Sequence, residues 1–458
     1  MLGLGYGHQA RSLLRKLYGN GVVFMNLPKQ ARLPFFDRET IERIRDARLM
    51  RLVRYAAETV PYYRSLFIKN RIDPRNIKNA GDLARLPLLD KTLVRENPLQ
   101  FVSDSGTMKS AVRFTSSGST GEPLTVYHDR YSLLANIAFG ERERSVFKKI
   151  RGIVFGGKEV VIQYKGSATG QIWDYYRENT FIPVRPDRTL ISISDPIPSI
   201  VASINAVRPD MISSYGSFLE MFFRTLALEK TTPIHLPKMI LYGGDGMTPD
   251  SRRLIEEGFG VQVLSTYQAI ECFKIGFFCE ERNGFHLHED LCHVRIVDRT
   301  GQDVAEGENG EVVISNLVNH GTVLLNYRLG DMASISCRPC PCGRNLYRLH
   351  ELEGRKEDIL HLPNGDLLHP RLIWKVFHAR SEILQYQLIQ HGTQRFELKL
   401  VTADPSGYDK HVGPVLEELG RLLGASARIE AVNCRRIPIP ESGKVRPVIA
   451  LSPGNPGQ

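Results

Sequence analysis

No cysteine precedes Cys272, and the chain's seven cysteines are an odd number, so a disulfide framework of the extracellular kind is excluded and a reducing, cytoplasmic setting is expected. No run of 18 apolar residues occurs, which excludes a membrane-spanning helix. The opening residues 1–34 mix Arg11, Arg15 and Lys16 with the short run Gly21-Val22-Val23-Phe24-Met25, so no secretory leader is expected. There is no block of five or six like charges, no internal repeat and no low-complexity segment. The net charge of +10 is spread over 458 residues; a basic arm is not indicated, and the same excess suits a protein that handles anionic nucleotides and thioester carriers. A Walker phosphate loop is also missing, because no Gly-Lys-Ser/Thr run follows a glycine loop.

With 42% hydrophobic and 24% charged residues the composition is that of a globular protein, and the length calls for two or three domains. From Glu39 to about Phe67 apolar residues (Ile41, Ile44, Leu49, Leu52, Val53, Ala56) recur at helical spacing, and the break at Pro61 ends that helix. Leu86 to Lys91 reads as an extended connector into another short helix. Between Val112 and Leu264 short β-branched runs (Val160–Ile162, Met211-Ile212, Met239–Tyr242) alternate with helical patterns (Ser199–Val207, Phe218–Leu228). That alternation predicts α/β structure with a mainly parallel sheet covered by helices. Beyond Cys292 the pattern turns to strands, Val294–Val297 and Glu311–Ile314. A shorter mixed segment from about Lys356 holds strands at Leu384–Ile389 and Phe396–Val401 and a helix at His411–Leu423.

The strongest local signal is Phe114-Thr115-Ser116-Ser117-Gly118-Ser119-Thr120-Gly121-Glu122-Pro123. Small hydroxyl residues interleaved with glycine let N–H groups and hydroxyls close around phosphate oxygens. Tyr242-Gly243-Gly244-Asp245 ends a predicted strand in a bare glycine turn that a flat base could approach. Further on stand Ser265-Thr266-Tyr267-Gln268-Ala269-Ile270-Glu271, then Tyr327-Arg328-Leu329-Gly330-Asp331. Gly354-Arg355-Lys356-Glu357-Asp358 and Ile439-Pro440-Glu441-Ser442-Gly443-Lys444-Val445-Arg446 complete the series. Taken singly, each also reads as an ordinary turn or linker.

In order, from roughly Arg51 to Arg446, these blocks resemble the adenylate-forming superfamily, specifically its phenylacetate-CoA ligase branch. The resemblance implies a large N-terminal domain of parallel-rich sheets covered by helices plus a β-rich part, residues 1–354, and a small mobile α+β domain, residues 355–458. It implies ATP-dependent activation of a small-molecule carboxylic acid as acyl-AMP, followed by acyl transfer to coenzyme A as the expected acceptor. Thr115, Ser116, Ser117, Gly118, Ser119, Thr120 and Gly121 then hold phosphate. Gly243, Gly244 and Asp245 border adenine, Tyr267 stacks on it beside Gln268, Asp331 takes the ribose, and Arg355 reaches the nucleotide. Glu271 holds Mg²⁺, Lys444 bridges the reacting carboxylate and α-phosphate, and Thr120 joins them as a catalytic group. Departures from the family pattern are Asp245 for Glu, Gln268 for Gly, Ile270 for Thr and Glu357 for Asp at the hinge.

Cys340-Pro341-Cys342-Gly343, downstream of Cys279 and His286, suits a closed tetrahedral zinc site. The same branch often carries this set, so Cys279, His286, Cys340 and Cys342 are the expected ligands, with Cys337, Cys292 and His288 as alternates. Such a site has no open position and is structural. The acyl pocket is not placed, although Gln163-Tyr164, Trp173, Tyr215-Gly216-Ser217 and Gln268 lie in stretches able to line it. An amine or a carrier-protein thiol is the alternative acceptor. A basic, zinc-containing nucleic-acid-binding protein is the reading from another class; it lacks the clustered basic and aromatic residues it needs, so no nucleic-acid partner is expected. A homodimer is left open.

Overall fold

A computed structural model describes residues 3–116, 123–152, 157–164, 166–182, 187–229, 234–350, 358–378, 380, 382–438 and 446–450. Thirteen strands build the larger body: β1 (Val112–Thr115), β2 (Thr125–His128), β3 (Lys158–Gln163), β4 (Asp187–Ser192), β5 (Met211–Ser214), β6 (Met239–Gly243), β7 (Gln262–Ala269), β8 (Cys272–Phe278), β9 (Phe285–Leu287), β10 (Cys292–Val297), β11 (Gly310–Asn316), β12 (Tyr327–Ser336) and β13 (Arg348–His350). β1 and β2 form a hairpin, and the other eleven join one sheet in the order β10-β11-β12-β13-β9-β8-β7-β6-β5-β3-β4.

The half from β4 to β7 is parallel, as the alternation of strands and helices predicts. β7 then turns directly into β8, and from there every pairing is antiparallel. The expected parallel-rich part and β-rich part are both present, and the tight β7–β8 connection joins them in one continuous sheet. Parallel strands here are buried on both faces and read as continuous apolar runs; Val160, Ile162, Ile212, Ile240 and Val263 form one core on one side of them.

Helix Arg38–Thr59 begins where Asp37 accepts a hydrogen bond from the Thr40 amide at 2.7 Å and buries Ile41, Leu49, Leu52, Val53 and Ala56. Pro61 ends it as expected, yet also opens a second helix, Pro61–Lys69, since proline at the first helical position lacks an N–H that would be unbonded anyway. From residue 358 onward the chain builds its own four-stranded sheet of Ile383–Gln390, Arg395–Thr402, Arg428–Asn433 and Val448–Ile449. Helices Pro370–His378 and Tyr408–Leu423 contribute Ile373, Val376, Val415 and Leu419 to its separate core. The expected boundary at 354/355 lies outside the described residues. Helix Gly216–Glu229 meets this unit, where Arg224 Nη1 donates to the Ile383 carbonyl at 3.5 Å.

Candidate active site

One cleft of about 2270 Å³ is lined by the C-terminal ends of the parallel strands, by the β7–β8 turn, by β12 and by the smaller unit. Gly243 ends β6 so close to β7 that a Cβ would lie 3.1 Å from the Thr266 carbonyl oxygen, and Gly244 follows at φ +84°. The strand tip is thus bare backbone. Asp245 also lines the cleft, but its carboxylate accepts from the amides of Gly216 at 2.5 Å and Ser217 at 3.3 Å. It caps helix Gly216–Glu229, a use that the sequence pattern did not suggest.

Tyr267 donates its hydroxyl to Asp331 Oδ2 at 2.6 Å, joining two motifs 64 residues apart. Next to it the β7–β8 register slips between Tyr267 and Ala269, and the bulge leaves Gln268 exposed on the cleft wall. Glu271 is 7% exposed; its Oε1 accepts from the Tyr327 hydroxyl at 3.2 Å and its backbone carbonyl from Asn316 Nδ2 at 2.8 Å. The Tyr327–Asp331 block therefore meets the Tyr267–Glu271 block twice. Arg328, by contrast, pairs with Glu311 and sits on structural duty.

The hairpin that carries the hydroxyl-rich stretch docks beside this turn. His128 Nε2 contacts the Ile270 carbonyl at 2.7 Å, and its ring stacks on Phe273 at 4.1 Å. Burial lowers the His128 pKa to about 4, against the Ile270 hydrogen bond, so the ring is neutral. Ser116 closes the base of the loop: its amide donates to the Leu124 carbonyl at 2.9 Å and its Oγ accepts from the Leu124 amide at 2.8 Å. Thr115 and Ser116 both line the cleft. Ser117, Gly118, Ser119, Thr120, Gly121, Arg355, Glu357 and Lys444 lie outside the described residues. The neighbours of Lys444 and Glu357 that are described, Arg446 and Asp358, form an ion pair on the cleft wall.

Gln163, Tyr164, Trp173, Tyr215, Ser217 and Gln268 all reach the cavity. Trp374 and Lys375, from the smaller unit, do so as well and were missed. Their only sequence signal is a strongly amphipathic helix, Pro370–His378, which by itself means a core-facing helix.

Away from the cleft, Cys279, His286, Cys340 and Cys342 bring their ligand atoms within 4.8 Å of one another. Cys279 Sγ lies 3.8 Å from Cys340 Sγ, and Cys342 Sγ 3.4 Å from His286 Nε2. Cys279 directly follows β8, His286 is on β9, and the two others sit in the β12–β13 connection, where Gly343 has φ +80°. A hydrogen bond from Cys279 holds the Cys342 thiol well below its usual range and pushes Cys279 up in return. The alternates are excluded by their surroundings: Cys337 is exposed, Cys292 contacts Cys272, and His288 is bonded to Glu143 and Arg142.

No family model matches the chain. It is 26% identical to the phenylacetate-coenzyme A ligase of Thermus thermophilus over 92% of its length and 99% of that protein's. It is 24% identical to the enzyme of the same name from Escherichia coli, over 89% and 94%. Among solved structures, 2-hydroxyisobutyryl-CoA ligase in its postadenylation state, with R3-HIB-AMP, overlays with a TM-score of 0.75 at 18% identity, covering 92% and 91% of the two chains. In its thioesterification state the same ligase gives 0.58 over the same shares. The fold is that of the adenylate-forming CoA ligases. The sequence is similar to phenylacetate-CoA ligases, the branch that the ordered motifs resemble.

Proposed function

We propose that this protein activates a carboxylic acid with ATP, forming acyl-AMP and pyrophosphate, and then transfers the acyl group to the thiol of coenzyme A. The observation that carries this reading is the convergence of Thr115, Gly243, Tyr267, Glu271 and Asp331 on one cleft closed by the smaller unit. Asp331 takes the ribose diol: the Tyr267 hydroxyl donates to Oδ2 and aligns the carboxylate, whose two acceptor oxygens suit vicinal hydroxyls. The bare tip at Gly243-Gly244 and the Tyr267 ring border the adenine. The acid's carboxylate attacks the α-phosphorus in line, held there by positioning more than by covalent help. Ser117, Gly118, Ser119, Thr120, Gly121 and Arg355 receive the phosphates, Lys444 neutralises charge as pyrophosphate leaves, and residues 1–354 and 355–458 move as two domains between the half-reactions.

Glu271, buried but for 7% and buttressed by Tyr327, fits a Mg²⁺ ligand, since a hard cation takes carboxylate oxygen and would offset phosphate charge. Acid-dependent exchange of labelled pyrophosphate into ATP tests the first half-reaction, and thioester formation on adding coenzyme A tests the second. Amide or carrier-thioester formation in place of acyl-CoA would move the acceptor assignment. Failure of exchange with every acid in a broad aryl, alkyl and hydroxy-acid panel would sink the reading. No helix among the described residues is long and apolar enough to cross a membrane, and we assign the enzyme to the cytoplasm.

The cysteine-histidine cluster fits structural Zn²⁺. Bonds of about 2.3 Å to sulfur in a tetrahedron set sulfurs roughly 3.8 Å apart, which is the separation of Cys279 and Cys340. Its place, between the β8–β9 hairpin and the β12–β13 connection, gives it a clamping role. Purified protein is expected to hold one zinc per chain by elemental analysis, and Cys342→Ser to lose it with a drop in Tm of at least about 5 °C. Metal-free protein with the wild-type Tm would remove the assignment.

A further inference from the structure

The function above leaves the acid open, and resting on that reading, the geometry points to one that carries a neutral oxygen, hydroxyl or carbonyl, at its far end. The face of the parallel sheet that looks into the cleft is polar deep down, where an acyl chain would end. Glu159 on β3 is 2% exposed and faces the cavity. Its Oε1 accepts from Ser213 Oγ on β5 at 2.7 Å, and its Oε2 accepts from Arg188 Nε on β4. The Arg188 guanidinium stacks over the Trp173 ring at 3.8 Å. Both Nη groups of Arg188 carry no hydrogen bond among the described residues, the side chain is 24% exposed, and it lines the cavity. Two donors are therefore fixed in orientation from both sides, by carboxylate and by indole, with no acceptor for them among the described residues.

Register places this group relative to the chemistry. Ser213 pairs with Leu241, two residues before Gly243 at the β6 tip, and Glu159 pairs with Met211, two residues deeper. At about 3.3 Å per residue in parallel strands, Glu159 and Arg188, which pair with each other, sit four residues, or about 13 Å along the strands, below the Gly243 tip, at the deep end of the same cavity. Phe147, Val161, Ile172 and Leu241 line the same cavity and suit the apolar stem between. Charge decides which oxygen fits. Glu159 neutralises Arg188, so the pair offers hydrogen bonds without net attraction for a second carboxylate. Ser213 Oγ, which donates to Glu159, keeps lone pairs that accept from a hydroxyl. An acid with an apolar end would strip water from Arg188 and return nothing, the situation in which a site built for hydrogen bonding rejects an isostere strongly.

The test is pyrophosphate exchange by the full-length enzyme with matched pairs: 4-hydroxyphenylacetate and phenylacetate, 4-hydroxycinnamate and cinnamate, 8-hydroxyoctanoate and octanoate. At least one oxygen-bearing acid is expected to exceed its partner in kcat/KM on the order of 10²-fold. In Arg188→Leu that preference should vanish through loss of activity on the oxygenated acid while KM for ATP stays put, and Arg188→Lys should recover part of it. Equal or better use of the unsubstituted partners by the wild type, or a preference that survives in Arg188→Leu, overturns the inference and leaves the adenylating function standing. A dicarboxylate as best substrate overturns the neutral-oxygen assignment. No exchange with any acid removes the functional reading itself, and the inference with it.

Discussion

Lys444→Ala is expected to slow acyl-AMP formation on the order of 10²–10³-fold, the scale for one preorganised donor aimed at developing charge, while thioester formation from supplied acyl-AMP loses far less. Negative charge grows between the acid's carboxylate and the α-phosphate as pyrophosphate departs, and a lysine on a Ser-Gly-Lys loop can stand there only if its loop is held at the cleft. Arg446, two residues on, is held at the cleft wall by its ion pair with Asp358. Rapid-quench measurement of acyl-AMP and, separately, of thioester from acyl-AMP distinguishes the two steps. Wild-type adenylation by the variant, or equal losses in both steps, would remove Lys444 from the chemistry of the first.

Asp290→Ala should cost about 3–5 kcal/mol of stability, because it strands two guanidinium groups in the interior. Asp290 and Arg142 are both 0% exposed. Arg142 donates through Nη1 at 2.7 Å and Nη2 at 3.0 Å to the two carboxylate oxygens, and through Nε to Gln30 at 2.9 Å. Arg48 adds a third charged contact at 2.9 Å. Helices Arg38–Thr59 and Glu141–Arg151 are thereby tied to the β9–β10 connection through one carboxylate. Burial alone would raise the Asp290 pKa, but Arg142 and Arg48 override it and hold it lowered to about 2. A depressed carboxylate binds its proton later when folded than when unfolded, at about 3.9. Its contribution is therefore complete above about pH 4 and lost as pH falls through 2. Urea midpoints between pH 7 and pH 3 check both parts; a loss under about 1 kcal/mol at neutral pH would show that the network relaxes around the missing anion.

Much of this was legible in the chain because helix and strand periods differ. Ile197–Val207, Gly216–Glu229, β6, β10 and β11 lie where apolar spacing puts them. The blocks that line the cleft were picked out by their ordered resemblance to the phenylacetate-CoA ligase branch, and Thr115, Gly243, Tyr267, Glu271 and Asp331 do share one cavity. Pairing across the sheet was not legible. Nothing in the local pattern of β8 shows that it lies antiparallel to β7, because both are largely buried and neither alternates between an apolar and a polar face. Asp245 and Ser116 were read as facing phosphate or base, and the structure shows their polar atoms also closing a helix N-terminus and a loop base. Glu159 and Arg188 escaped notice since a charged residue within a strand pattern normally marks a solvent face, and only the sheet order turns that face toward the cavity.

The bond from Tyr267 to Asp331 spans β7 and β12, strands that are not neighbours in the sheet. It braces the cleft across its width before any nucleotide arrives. In the proposed reaction an incoming ribose shares an acceptor already in register, so this rigid floor adds little ordering entropy to binding.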